Sequence, residues 1–141
     1  KISRVRSVEL LACDAGWRNY HFVKIMTEDG IIGWSEFDEG FGSPGVGAAI
    51  QRLSVRVVGQ NILQHERIYA ELFAATRPAA GGVVAQALGA IENALLDAKA
   101  KLLGAPIICN DSRSMCAVRS GLIAFQLAPR SVDLKIMCDP M

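Results

Sequence analysis

Apolar and polar positions alternate along the first forty residues of this chain and then recur with a helical period to about residue 104. Ile2, Val5, Val8 and Leu10 alternate imperfectly with Ser and Arg, which predicts a first strand over 2–11 with one wet face. The stretch "ACDAGWRNY" is rich in turn-forming Asp, Gly and Asn, and "HFVKIMT" then predicts a second strand carrying Phe22, Val23, Ile25 and Met26. Asp29-Gly30 is a strong hairpin signal, because the turn needs a positive φ that glycine adopts without steric cost. A third strand, "IIGWSEF", therefore pairs with the second.

Beyond the glycine-rich stretch "DEGFGSPGVG" the pattern is helical. Val46, Ala49, Ile50, Leu53 and Val57 share one face of a 3.6-residue period, predicting a first helix from near Pro44 to near Gly59. Ile68, Tyr69, Leu72 and Phe73 mark a second helix from His65 to Thr76, ended by Arg77-Pro78. In the third, Val84, Leu88, Ile91, Leu95, Ala98 and Leu102 form a stripe that must pack on something, with Gln86, Asn93, Lys99 and Lys101 on the outer faces. Gly104 and Pro106 stop it, and Asp97 and Lys101 are spaced for an i,i+4 ion pair holding the helix to its surroundings.

Three strands followed by three helices predict an α+β fold: a three-stranded antiparallel meander covered on one face by a three-helix layer. Composition shifts after Pro106. Residues 107–141 hold three of the four cysteines and three of the four methionines but no glutamate, against seven in 1–106, and only "SGLIAFQL" there has strand character. That tail is expected to be irregular, and the change fits a truncated or frame-shifted reading.

A length of 141 residues, 51% of them apolar and 21% charged, suits one globular domain. Fifteen basic against fourteen acidic residues, with no long run of either, argue against nucleic acid or an anionic membrane as partner. No leader pattern follows Lys1, so a cytoplasmic protein is the expectation. Cys13, Cys109, Cys116 and Cys138 form no C-x-x-C pair and read as incidental reduced thiols; His21 and His65 have no carboxylate at ligand spacing, so no metal ligand is assigned.

"TEDGIIGWSE" (27–36) and "AIENALLDAKAKLLGAP" (90–106) carry a resemblance. In this order and spacing they resemble the amino-terminal capping domain of the enolase superfamily, in its mandelate racemase and muconate lactonizing branch. The hairpin there reads T-x-x-G-x-x-G-x-G-E and the helix A-I-x-x-A-L-W-D-x-x-G-K-x-x-G-x-P. Ser35 stands where glycine is usual, Leu96 where tryptophan is, and Ala100 where glycine is. The match covers residues 1–106; 107–141 lack the turn and arginine that lead into the family's β/α barrel.

The resemblance implies an enzyme that binds Mg²⁺ through three barrel acids and removes the proton α to a substrate carboxylate, as a dehydratase or racemase on a substrate such as an acid sugar. Ligands and bases belong to the barrel, so no cofactor and no catalytic residue is assigned to this chain, and the chain alone is expected to be inactive. The cap contributes two lid loops, 13–20 and 37–45, which exclude water and meet the distal part of the substrate. Trp17, Arg18, Asn19, Tyr20, Phe37 and Phe41 are the candidate substrate-facing residues. Each has a plainer reading: Arg18 as a solvated turn charge, Trp17 and Tyr20 as cover for the sheet edge. Glu36 reads as structural, and Asp38 and Glu39 as charges that keep the lid solvated. The alternative function is a non-catalytic binding or self-association module, with homo-oligomer formation left open.

Overall fold

The structure is a computed structural model that describes residues 2–40, 43–79 and 81–105. The expectations for 107–141, including the strand at "SGLIAFQL", lie outside the described residues, as do Phe41 and Gly42. Strands β1 (Val5–Asp14), β2 (Asn19–Thr27) and β3 (Ile32–Phe37) form an antiparallel meander, followed by α1 (Val46–Val57), α2 (His65–Thr76) and α3 (Gly82–Leu103). No closed barrel is present among the described residues. The α+β meander with a helical layer is the architecture that the periodicities predict.

Strand boundaries moved where pairing overrode local turn chemistry. β1 starts at Val5 rather than Ile2, and runs on to Asp14, because Ala12, Cys13 and Asp14 find partners in His21, Tyr20 and Asn19. The β1–β2 connection thus shrinks to Ala15–Arg18. It is closed by Ala15 N–H donating to Arg18 O at 3.0 Å and by Gly16 N–H donating to Asp14 Oδ1 at 2.7 Å. Asp29-Gly30 makes the β2–β3 turn as expected: Gly30 has φ 81°, and Thr27 N–H donates to Ile31 O across it at 2.9 Å.

Register sorts the sheet into two faces. Val8, Leu10, Val23, Ile25, Gly33, Ser35 and Phe37 share the helix-facing side, where they join Ile50, Leu53, Ile68, Leu72, Leu88, Ile91 and Leu95. Glu9, Lys24 and Trp34 share the other side, with Lys24 Nζ 2.9 Å from Glu9 Oε2.

α3 approaches the sheet most closely at β3, and the reason is Gly33. A Cβ there would collide with the carbonyl of Ala94 and stand 2.8 Å from the Ala98 methyl. Small residues on both sides therefore let the two backbones touch. The contact is then tied by side chains: Asp97 Oδ2 accepts from Trp34 N–H at 2.8 Å, and Lys101 Nζ donates to Ile32 O at 2.9 Å and to Asp97 Oδ2 at 2.6 Å. These backbone groups point away from β2, so α3 also satisfies part of the edge of β3 that another strand could otherwise pair with.

Two substitutions test this junction by urea unfolding. Gly33→Ala is expected to cost about 3 kcal/mol, the upper end for overpacking against backbone. Asp97→Ala is expected to cost about 2 kcal/mol by leaving a half-buried N–H unpaired, and Asp97→Asn clearly less because its amide oxygen still accepts.

Candidate functional site

The β1–β2 turn and the β3–α1 loop emerge at the same end of the sheet, because His21 pairs with Phe37 and Phe22 with Glu36. Arg18, leaving the turn, lies 3.7 Å from Glu36 Oε1 at the end of β3. Its guanidinium also sits over the Tyr20 ring, 4.9 Å from the centroid. Trp17 meets Tyr20 edge-on at 6.0 Å and is 77% exposed. The structure thus gathers Trp17, Arg18, Tyr20 and Glu36, with Asn19 exposed opposite Asp14. Arg18 is half-exposed and oriented by an aromatic face and a carboxylate, and Glu36 contributes the acid of that pair.

Phe37 is placed differently from Trp17. It is 8% exposed, belongs to the core cluster, and stacks at a tilt on His21 with centroids 5.5 Å apart. β3 ends with its inward-facing position at residue 37, so the ring is committed to the helix side. Phe41 lies outside the described residues.

The expectation that Asp38 and Glu39 are only solvating charges is corrected. Asp38 Oδ1 accepts from Gly40 N–H at 3.0 Å. Glu39 grips the start of α1: Oε1 accepts from Gly45 N–H at 2.9 Å and Oε2 from Gly47 N–H at 2.6 Å. Ser43 is buried, and its Oγ accepts from Gln86 Nε2 of α3 at 2.8 Å. Gln86, expected on an outer face, therefore holds the loop. Among the described residues of the loop, Gly45 is in the left-handed region, with φ 97°, and Gly40 is not. No local motif announces these ties. Glu39 lies six and eight residues before the amides it caps, unlike the three-residue spacing of a capping box.

A shallow, mostly apolar groove of about 250 Å³ is walled by residues that include Leu10, Ala12, His21, Phe37, Glu39 and Gly47. Nδ1 of His21 is buried without a hydrogen-bond partner among the described residues. A second ionisable group of residues lies elsewhere, at the seam of α2 and α3. His65 is 9% exposed, with Nδ1 3.2 Å from Lys99 Nζ. Burial first, and the Lys99 charge second, hold its pKa below the usual histidine value. Burial first, and the Glu66 carboxylate second, push the Glu92 pKa up.

Among the described residues no three His, Cys, Asp or Glu side chains converge as a metal ion would require, so they do not fit a Mg²⁺ site. None of the described helices is long and apolar enough to cross a membrane.

Residues 8–109 match the mandelate racemase / muconate lactonizing enzyme, N-terminal domain family. The chain belongs to that family. It is 35% identical over 86 residues to a D-galactonate dehydratase of Pectobacterium atrosepticum, covering 61% of this chain and 22% of that protein. A Burkholderia xenovorans protein provisionally named L-alanine-DL-glutamate epimerase, solved with magnesium and fumarate, is 66% identical with a TM-score of 0.69, over 71% of this chain and 25% of its own. A mandelate racemase/muconate lactonizing protein from Paracoccus denitrificans, solved with magnesium, is 30% identical with a TM-score of 0.65, over 72% and 28% respectively. The chain thus spans about a quarter of the length of these relatives.

The two shifted groups give stability opposite pH trends. His65, with its pKa lowered from 6.5, contributes stability that is present above that pH and lost as pH falls through the folded value, since the unfolded chain takes up the proton first. Glu92, raised from 4.5, contributes stability present below that pH and lost as pH rises through its folded value. Urea unfolding across pH 4 to 8 is expected to show His65→Gln flattening the loss below about 6.5, and Glu92→Gln gaining stability relative to wild type as pH rises.

Proposed function

We propose that residues 1–106 are the capping domain of a Mg²⁺-dependent enolase-superfamily enzyme, a dehydratase or racemase acting on a small carboxylate such as an acid sugar. The observation that carries this reading is the placement of Arg18. It is a half-exposed cation fixed by Tyr20 and Glu36 at the end of the sheet from which both loops emerge. An oriented guanidinium suits a carboxylate or hydroxyl-rich anion. Trp17 and Tyr20 beside it offer aromatic surface that excludes water from a closed site. The dehydratase name of the Pectobacterium relative, and the magnesium and fumarate with the Burkholderia protein, support the reaction class and the acidic substrate.

In this reading the metal and the proton-transfer groups belong to a barrel, and Mg²⁺, held there, would stabilise the enediolate formed from the substrate. This chain's residues orient and shield. Arg18 binds the distal anionic or hydroxyl groups, and the loops close the entrance.

Two measurements test the proposal. In a full-length enzyme carrying this cap on its barrel, Arg18→Ala is expected to raise KM about tenfold with kcat nearly unchanged, the pattern of lost uniform binding. Stability should move by no more than about 0.5 kcal/mol, as for an exposed ion pair. Wild-type kinetics across a panel of acid sugars and amino-acid-derived carboxylates would remove Arg18 from the site. Titration calorimetry on the 141-residue chain is expected to show no specific Mg²⁺ binding. A stoichiometric micromolar site would contradict the assignment of the metal to the barrel.

A further inference from the structure

The two edges of the sheet are treated unequally. At β3 the outward backbone groups meet α3 through Asp97 and Lys101. At β1 only the start is covered: Val5 N–H donates to Gln60 O at 2.9 Å, and Val5 O accepts from Gly59 N–H at 2.8 Å. Beyond it the register fixes where each group points. In an antiparallel ladder one residue turns its N–H and C=O to one neighbouring strand, and the next residue turns both the other way. Thr27 N–H bonds to Ile31 O on the β3 side, so Met26, Lys24, Phe22 and Tyr20 face β1, where Ser7, Glu9, Leu11 and Cys13 answer them. Val8, Leu10, Ala12 and Asp14 are left turned outward, and among the described residues nothing pairs with their backbone groups. Neither proline nor lysine protects this stretch, and its register is regular after the shift between Val5 and Ser7. Apolar surface flanks it. The groove described above lies between Leu10, Leu11 and Ala12 of β1 and Gly47, Ala48 and Gln51 of α1. Leu11 is 39% exposed, and Val55, two helical turns after Ala48 on the same side of α1, is 78% exposed.

We propose that this edge pairs antiparallel with the same edge of a second copy of the chain, about a twofold axis at Leu11, joining two meanders into one sheet. The strand's own sequence selects that register. An axis at Leu11 sets Val8 opposite the second copy's Asp14 and Leu10 opposite its Ala12, so every outward residue meets an outward residue. An axis at Leu10 or Ala12 leaves one of them over, and an axis at Glu9 sets two carboxylates face to face. Leu11 then lies against its own counterpart in a close pair without backbone bonds between them, and the small Ala12 leaves room beside the groove for the second copy's Leu10. Glu9, held by Lys24 at 2.9 Å, faces Cys13 rather than another acid. Arg6 and Asp14, of opposite sign, stand at the two ends of the stretch, so the antiparallel arrangement brings each to the other's end. One strand edge and one helix face make a small, reversible interface, with micromolar rather than nanomolar affinity.

Sedimentation velocity on the 141-residue chain, from about 2 to about 500 µM, is expected to show monomer passing reversibly into dimer. Amide exchange by NMR at the two ends of that range locates the contact. Val8, Leu10, Ala12 and Asp14 are expected to gain about fivefold protection with concentration, while Ser7, Glu9 and Leu11, already bonded to β2, change by less than about twofold. Leu11→Lys sets like charges against each other on the axis and is expected to weaken dimerisation at least about tenfold. Ala12→Pro removes only an outward N–H and should do the same without loosening β1 from β2. Should either variant fail to fold, the exchange pattern of the wild-type chain still decides. A chain that stays monomeric throughout overturns the proposal. So does a dimer whose outward β1 amides exchange as in the monomer, which would assign association to another surface, and so does a dimer that survives both substitutions.

Discussion

The fold hangs on the closeness of two backbones, β3 at Gly33 and α3 at Ala94 and Ala98. No side chain fits between them, so the helix lies against the strand. That closeness brings the Asp97 carboxylate within reach of Trp34 N–H and the Lys101 ammonium within reach of Ile32 O. These bonds form because the glycine contact has already fixed the spacing. An apolar stripe alone would let α3 slide or rotate on the sheet. Backbone contact and paired charges together set one axial position.

From that position the rest follows in order. α3 carries Gln86 near its start and Lys99 near its end, and both reach neighbouring elements: Gln86 to Ser43 in the β3–α1 loop, Lys99 to His65 at the start of α2. The long helix is a spine to which the loop, β3 and α2 are each attached by a polar contact. Between these contacts lies the continuous apolar core of Ile25, Ile50, Leu53, Ile68, Leu72, Ile91 and Leu95. Non-directional burial supplies most of the favourable free energy, and the polar ties choose among packings that burial alone would leave close in energy.

The end of the sheet that bears the two loops is polar and aromatic where the core is aliphatic. Its elements come from separate stretches of chain: Trp17 to Tyr20 from the first turn, Glu36 from the end of β3, and Glu39 with Gly45 and Gly47 from the passage into α1. Antiparallel pairing puts them side by side, because a meander returns the third strand's end to the second strand's beginning. On the capping reading proposed above, this end supplies what such a domain needs, oriented groups on a rigid sheet.

Much of this architecture was legible in local pattern. The strand-turn-strand with Asp29-Gly30, the bounds of α2, the stop of α3 at Gly104 and the pairing of Asp97 with Lys101 all arise between residues close in sequence, whose geometry depends on period, turn chemistry and capping. The hairpin and long helix also carried the family. What tertiary structure alone decided are the long-range ties and their consequences. β1 extended to Asp14 because a partner strand was there to pair with it, against the turn preference of its residues. Phe37 turned into the core because the strand's alternation, set by register, left it on the helix side. Glu39 became a helix cap, and Gln86 a loop anchor, because chain reversal brought donors to them from outside any local motif. Periodicity reports which face of an element is buried; it does not encode which distant backbone group a side chain will meet, since that is fixed only when the layers close.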